Sequence, residues 1–387
     1  MTVQAPSIQQ KFEIRSFSKG DIIAGMLAFL AMIGVAAGVG RLFVGMGAST
    51  ALTDSYPWGI WIGFDFTLIA LSGVGFTMAA VVHVLHLHQF QPVLRPAILA
   101  GLFGYVAVLM ILLLDLGRPD RFYNFLLFYN MHSPLFEICW CVLLYTTVLV
   151  IEVSPDVLAF LPWKWPLRLV YRLMTPVTII GITLSSLHQS TLGTLYLNMP
   201  HRLHPLWYTP ILPVLFYTSS ILAGLSLGII AYKIAMRVGG KQEDPSIATG
   251  LGKGVVAVGL IYMFIRVGEV VYAGELPLLL AMNSLSLLWI AELLFCAVIP
   301  IILWVTPPLR TQPWVHWVAP LVVVIGVGMN RFNATLAAQF SPEGAVYVPS
   351  VIEWLSTFGI IAAAMLLWYL AVRFVMGFAV KMGYEHH

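Results

Sequence analysis

Residues 96–114 read Pro-Ala-Ile-Leu-Ala-Gly-Leu-Phe-Gly-Tyr-Val-Ala-Val-Leu-Met-Ile-Leu-Leu-Leu, a run without one charged side chain, and Asp115 ends it. About 20 apolar residues carry an α-helix across the hydrocarbon core of a bilayer, so this stretch reads as a membrane span. Nine further runs of the same kind lie at 21–44, 58–82, 134–154, 173–195, 211–234, 254–273, 283–304, 317–335 and 350–375. No β-barrel alternation is present, which leaves helices as the spanning element. The composition agrees: of 387 residues 60% are hydrophobic and 10% charged, and the mean hydropathy is +0.90. A soluble domain carries about 25% charged residues. Soluble folds are thereby excluded, as are disorder and nucleic-acid binding, which needs a clustered basic face. The expectation is an all-α integral membrane protein in the lipid bilayer, with ten transmembrane helices over 21–375 and a core over about 58–335. Residues 1–20 and 376–387 form flanking segments. The first span has no small-residue cleavage site after it and reads as a retained helix.

Basic residues set the expected orientation. With the N-terminus in the cytoplasm, the inner loops and termini hold Lys11, Arg15, Lys19, Arg95, Lys164, Arg168, Arg172, Lys233, Arg237, Lys241, Lys253, Arg310, Arg373 and Lys381. Those are fourteen of the 20 basic residues and include every lysine. The outer side keeps six arginines: Arg41, Arg118, Arg121, Arg202, Arg266 and Arg331. Both termini are therefore expected in the cytoplasm. Trp163, Trp165, Trp314 and Trp317 on the inner side, with Trp58, Trp207 and Trp354 on the outer, read as interfacial belts. Cys139, Cys141 and Cys296 all sit in apolar runs. They are too few for a disulfide framework or an iron–sulfur cluster of the chain's own, so a redox metal is expected on a partner.

Ionisable groups inside spans are costly and mark functional paths by default. Asp65 lies seven residues into the second span, roughly 10 Å below its start at 1.5 Å per residue. Glu137 opens the fourth span, and His188 and Gln189 occupy the outer half of the fifth. Arg266 and Glu269, spaced i, i+3, share one helix face and can pair. Glu292 is near the middle of the eighth span. The inner half offers almost no carboxylate within a span, so polar chemistry is expected toward the outer face. Structural readings stand beside the functional ones. Ser350 and Glu353 have the spacing of a capping box, Ser133-Pro134 reads as N-cap plus N1 proline, and Arg266–Glu269 could weld two helices. Arg41 and Arg331 read as snorkelling to the interface. His83, His86 and His88 read as an interfacial polar stretch, and no metal site is expected. His188 is the sole histidine well inside a span, whereas a haem b anchor needs facing histidines; no haem is expected. A secondary transporter would need Gly/Pro-broken paired helices near the midplane, and these are not visible.

The stretch Asp115-Leu116-Gly117-Arg118-Pro119-Asp120-Arg121-Phe122, followed by Ser133-Pro134, resembles the NrfD/PsrC family of membrane subunits from polysulfide-reductase-type complexes. Trp58 to Asp65, Leu135-Phe136-Glu137, His188-Gln189-Ser190, His204-Pro205-Leu206-Trp207 and Arg266 to Glu269 are similar to its ten-helix HybB/DsrP branch. The resemblance implies an NrfD-like core of two four-helix bundles, spans two to nine, plus two extra helices. It also implies a haem-free subunit of a prokaryotic cell membrane that binds menaquinone or ubiquinone. A ferredoxin-like iron–sulfur subunit would sit on its outer face and connect it to a hydrogenase, molybdopterin or sulfur-metabolism module. By position, the quinone region falls at Trp58 to Asp65 and Glu137; the histidine associated with that site in eight-helix members has no counterpart there. In this reading His188 or Gln189 holds a quinone carbonyl, Trp58 walls the ring, and Asp65 and Glu137 relay protons. Arg266, Glu269 and Glu292 would continue a proton path into the second bundle. Asp115, Gly117, Arg118 and Pro119 are the family motif.

Overall fold

The computed structural model describes residues 19–159, 163, 165–340 and 347–376. Among these, ten helices are long and apolar enough to cross a membrane: α1 (Lys19–Val44), α2 (Ile60–Val84), α3 (His88–Asp115), α4 (Pro134–Leu158), α5 (Trp165–Leu197), α6 (Leu212–Val238), α7 (Pro245–Tyr272), α8 (Ser284–Val305), α9 (Val315–Ala337) and α10 (Val351–Phe374). Each predicted span is present. The helices run further than the apolar runs at the basic ends, because polar residues there can still hold helical backbone beyond the hydrocarbon. Lys11, Arg15, Lys164, Lys381 and nearly all of both flanking segments lie outside the described residues.

α2, α3, α4 and α5 pack as one bundle and α6, α7, α8 and α9 as a second, with α6 touching α2, α3 and α5 across the junction. α1 and α10 pair with each other, and α10 leans on α3. The expected core of two four-helix bundles plus two added helices is therefore observed. One end of the molecule carries the connections 45–59, 116–133, 198–211 and 273–283 with residues 338–340 and 347–350, here termed the long-loop rim. The other, the lysine rim, carries Lys233, Lys241 and Lys253.

Small residues let the added helices approach. A Cβ built on Gly34 of α1 would stand 2.3 Å from the Gly359 Cα of α10. Gly34→Val is therefore expected to cost about 1–3 kcal/mol through overpacking, read as a lowered thermal midpoint of the purified protein. At the start of α10 the capping box is real: Ser350 accepts from the Glu353 amide while Glu353 accepts from the Ser350 amide at 2.8 Å. Glu353 also accepts from the Ala51 amide at 3.0 Å, which ties the α1–α2 loop to α10.

One expectation fails at the lysine rim. Glu152 and Asp156 of α4 are both 2% exposed, so the lysine-side half does hold buried carboxylates. Thr178 donates to Glu152 at 2.5 Å and Arg95 pairs with Asp156 at 3.3 Å. The apolar run stops near residue 154, yet α4 continues through Pro155, whose missing amide costs one bond but does not end the helix. Beyond α6, Glu243 is bound by Lys233 and by Arg237 at 2.8 Å. Burial alone would raise its carboxyl, but the hydrogen bonds from the two cations outweigh it and hold the pKa below the ordinary value.

Candidate functional site

His188 of α5 is wholly buried, and neither ring nitrogen has a protein partner. Its ring stands edge-on to Tyr145 of α4 at 5.3 Å, and Tyr145 lies 4.2 Å from the ring of Tyr105 on α3. Gln189 donates through Nε2 to the Ile69 carbonyl of α2 at 2.8 Å, while its Oε1 is unpartnered. Ser185, Gln189 and Tyr145 surround the Tyr105 hydroxyl. Asp65 of α2 is 4% exposed with Oδ1 unpartnered, within electrostatic reach of Asp115, Cys139 and Tyr145. The first bundle thus brings Asp65, His188 and Gln189 to one polar centre. Tyr105 and Tyr145 were not singled out in the sequence. The available signal was a phenol in mid-span, whose hydroxyl needs a partner once buried.

Two candidates stand further off. Glu137 is exposed on the first turn of α4 rather than enclosed, and accepts from Thr191 of α5 at 2.6 Å. Thr191 is three residues beyond His188, so Glu137 sits above the centre toward the long-loop rim. Trp58 is half-buried and packs edge-on against Phe66 and Tyr196, at 6.2 and 5.7 Å. Its ring belongs to an aromatic layer with Phe66, the residue after Asp65, and Tyr196.

The motif loop caps this bundle. Asp115 ends α3 with Oδ1 unpartnered, within electrostatic reach of Arg41, Asp65 and Glu353. Arg41 is 1% exposed, donates to the Leu116 carbonyl at 2.6 Å and lies 6.0 Å over the Trp61 ring. The snorkelling expectation for Arg41 is therefore wrong: a carbonyl from another helix end binds the charge inside. Gly117 is exposed, and Pro119 starts a short 3₁₀ turn. Arg118 and Asp120 form a two-pronged pair on the surface, at 3.0 and 2.8 Å. Neutralising each other, they hold both pKa values away from each charged form's loss: Arg118 is raised and Asp120 lowered.

The second bundle holds a denser network, centred on Glu292 of α8. Its carboxylate accepts from Trp207 at 2.9 Å, Asn330 at 2.7 Å and Asn333 at 3.2 Å, and Arg266 of α7 stands 3.5 Å away. Arg266 also reaches Glu269 at 4.0 Å and lies 5.0 Å over the Trp289 ring. Arg331 of α9 is wholly buried, bound to Asn330 and donating to the Phe216 carbonyl and Ser219, both at 3.0 Å. It does not snorkel either. Trp207 is likewise no belt residue: it is fully buried, with its indole N–H on Glu292. Wide π turns at Leu294–Val298 and Asn333–Ala337 flank this carboxylate's partners. Such turns concentrate at functional positions, and apolar periodicity does not reveal them.

Between the bundles a groove of about 660 Å³ is lined by α2, α5, α6 and α7, with Gln189 among its walls. That volume is in the range of small-molecule sites, about 300–1,000 Å³. His83, His86 and His88 are exposed at the lysine rim, with His86 and His88 rings 6.1 Å apart.

The family model described as polysulphide reductase, NrfD, matches residues 48–343. A protein of Nitratidesulfovibrio vulgaris is 35% identical over 328 residues, covering 82% of this chain and 83% of its own. The probable Ni/Fe-hydrogenase 2 b-type cytochrome subunit of Escherichia coli is 29% identical over 367 residues, with 92% and 91% covered. The menaquinone reductase integral membrane subunit of Nitratidesulfovibrio vulgaris is 26% identical over 356 residues, 84% of each chain. The matched region spans α2 to α9 and therefore contains both polar centres; the chain belongs to the polysulphide reductase NrfD family of membrane subunits.

Proposed function

We propose that this chain is the quinone-reactive membrane subunit of a redox complex, passing electrons between an iron–sulfur partner on the long-loop rim and the quinone pool. The observation that carries it is the centre formed by Asp65, His188 and Gln189. Burying polar atoms without partners in a membrane protein is expensive, and four such atoms lie on two helices of this bundle: Asp65 Oδ1, both His188 ring nitrogens and Gln189 Oε1. A quinol, whose two hydroxyls donate as well as accept, partners acceptors and donors among them, and a quinone partners the donors. Relatives named as a hydrogenase cytochrome subunit and a menaquinone reductase subunit support the same reading, with menaquinone or ubiquinone as the substrate.

Reduction of a quinone takes up two electrons and two protons. In this scheme His188 donates a hydrogen bond to one carbonyl and fixes the ring. Asp65 supplies a proton by way of Tyr145, and Asp115 refills Asp65 from the rim. Glu137, on Thr191, offers the other proton route. The surface pair Arg118–Asp120 and the exposed Phe122, Phe128 and Tyr129 beside it offer a face to the ferredoxin-like subunit, and through it to a hydrogenase, molybdopterin or sulfur-metabolism module. The lysine asymmetry supports a long-loop rim outside and both termini in the cytoplasm of a prokaryotic cell. The centre is haem-free in this account: the ring facing His188 is Tyr145, not a second histidine.

Asp65→Asn in the purified complex is expected to lower quinone turnover by about 100-fold, the scale of a lost proton-transfer group. The same preparation is expected to show no Soret or α band. An unchanged rate would remove Asp65 from the site, and a haem spectrum would displace the assignment. The Arg266–Glu292–Asn330–Arg331 chain favours proton conduction through the second bundle as a coupled activity. It is checked by acidification of proteoliposomes during turnover and its loss in Glu269→Gln.

A further inference from the structure

The groove between the bundles has two chemically different ends. At its deep end stand Gln189, Ser186 and Tyr217; at the lysine rim stand Gln89 and Lys253; the walls between are apolar, with Phe76, Ile221 and Leu225 among them. Gln189 is 2% exposed, and its Oε1, the atom left without a donor, belongs to the side chain lining this space. Ser186 gives its hydrogen to the Ile182 carbonyl at 2.9 Å and stands 3.4 Å from Tyr217 Oη. Three polar side chains therefore share the deep end. Along α2 the lining runs from Gly73 to Leu85, about 18 Å at 1.5 Å per residue. That length suits a linear apolar chain rather than a compact solute.

We infer that this groove seats the isoprenoid tail of the quinol, with the ring at its deep end and the tail running toward the leaflet of the lysine rim. The inference rests on the quinone reading above and adds the route of the tail. The lipid substrate thus reaches the centre from the half of the membrane away from the long loops, with Gln189 at the boundary between groove and cluster and His188 next to it in sequence.

Ala257 lines the groove and is exposed on α7, so Ala257→Trp plugs it without touching the polar centre. Ile221→Phe narrows it independently from α6. Turnover of the intact complex is measured with a prenylated naphthoquinol and with its tail-free methyl analogue. The expected result is a KM for the prenylated substrate raised about tenfold, equivalent to about 1.4 kcal/mol, with the tail-free substrate essentially unaffected. Equal effects on both substrates, or none on either, in a plugged complex that assembles would overturn the proposal. So would a changed complement of co-purified phospholipid without a change in tail selectivity, since an acyl chain would then be the occupant. If the unmodified complex turns over neither substrate, the quinone reading itself fails, which the plugged variants alone could not produce.

Discussion

Replacing His188 by leucine is expected to lower quinone turnover of the assembled complex by about 100-fold or more, the scale of losing a positioned acid–base or hydrogen-bonding group. His188 makes no hydrogen bond within the protein, so the substitution removes no internal contact of that kind and even relieves an unsatisfied polar group. Stability should hold or rise while activity falls. That opposite sign is the diagnostic feature, because a merely structural histidine would lose both together. His188→Asn, which keeps one N–H donor, should recover part of the rate. The check is steady-state turnover alongside the thermal midpoint of the same preparation.

The largest expected effect on stability comes from Arg266→Leu. Arg266 stands between Glu292 at 3.5 Å and Glu269 at 4.0 Å, and both side chains are nearly sealed from the surface. Removing one partner of a buried ion pair leaves an uncompensated charge and costs about 3–5 kcal/mol. The Arg266→Leu protein should therefore lose much of its folded fraction in detergent, seen as a lower thermal midpoint and poor recovery. Adding Glu292→Gln should restore most of it. A glutamine with its oxygen toward Trp207 and Asn333 keeps those two bonds, gives up the one from Asn330 and deletes the stranded charge. If the double variant is no better than the single one, Glu292 is not the group that Arg266 neutralises.

The number and place of the spans were legible because a bilayer imposes a length and an apolarity that a short window can read. The pairing of Ser350 with Glu353 was legible for a similar reason: a cap is local. Harder was the state of charges near span ends. Arg41 and Arg331 lie where long side chains usually reach water, and their burial depends on carbonyls from Leu116 and Phe216, 75 and 115 residues away in sequence. Trp207 was misread for the same reason, since Glu292, 85 residues on, decides its position. Asp156 was overlooked because α4 outlasts its own apolar run, whereas Glu152 lies inside the run and its carboxylate was passed over. In the first bundle, residues marked by charge were found, and those marked by shape were not. Asp65, His188 and Gln189 stand out as polar in an apolar context, whereas Tyr105 and Tyr145 look like ordinary packing until their hydroxyls are seen to face the same centre.

The central claim is that quinone binds in the first bundle, at Asp65, His188 and Gln189. A photoreactive azidoquinone applied to the purified complex, with the labelled peptides mapped by mass spectrometry, tests it most directly. The account predicts labelling in α2 and α5, around residues 58–76 and 182–196, displaced by excess natural quinone. Displaceable labelling confined to α7, α8 and α9, around Arg266 and Glu292, would contradict it.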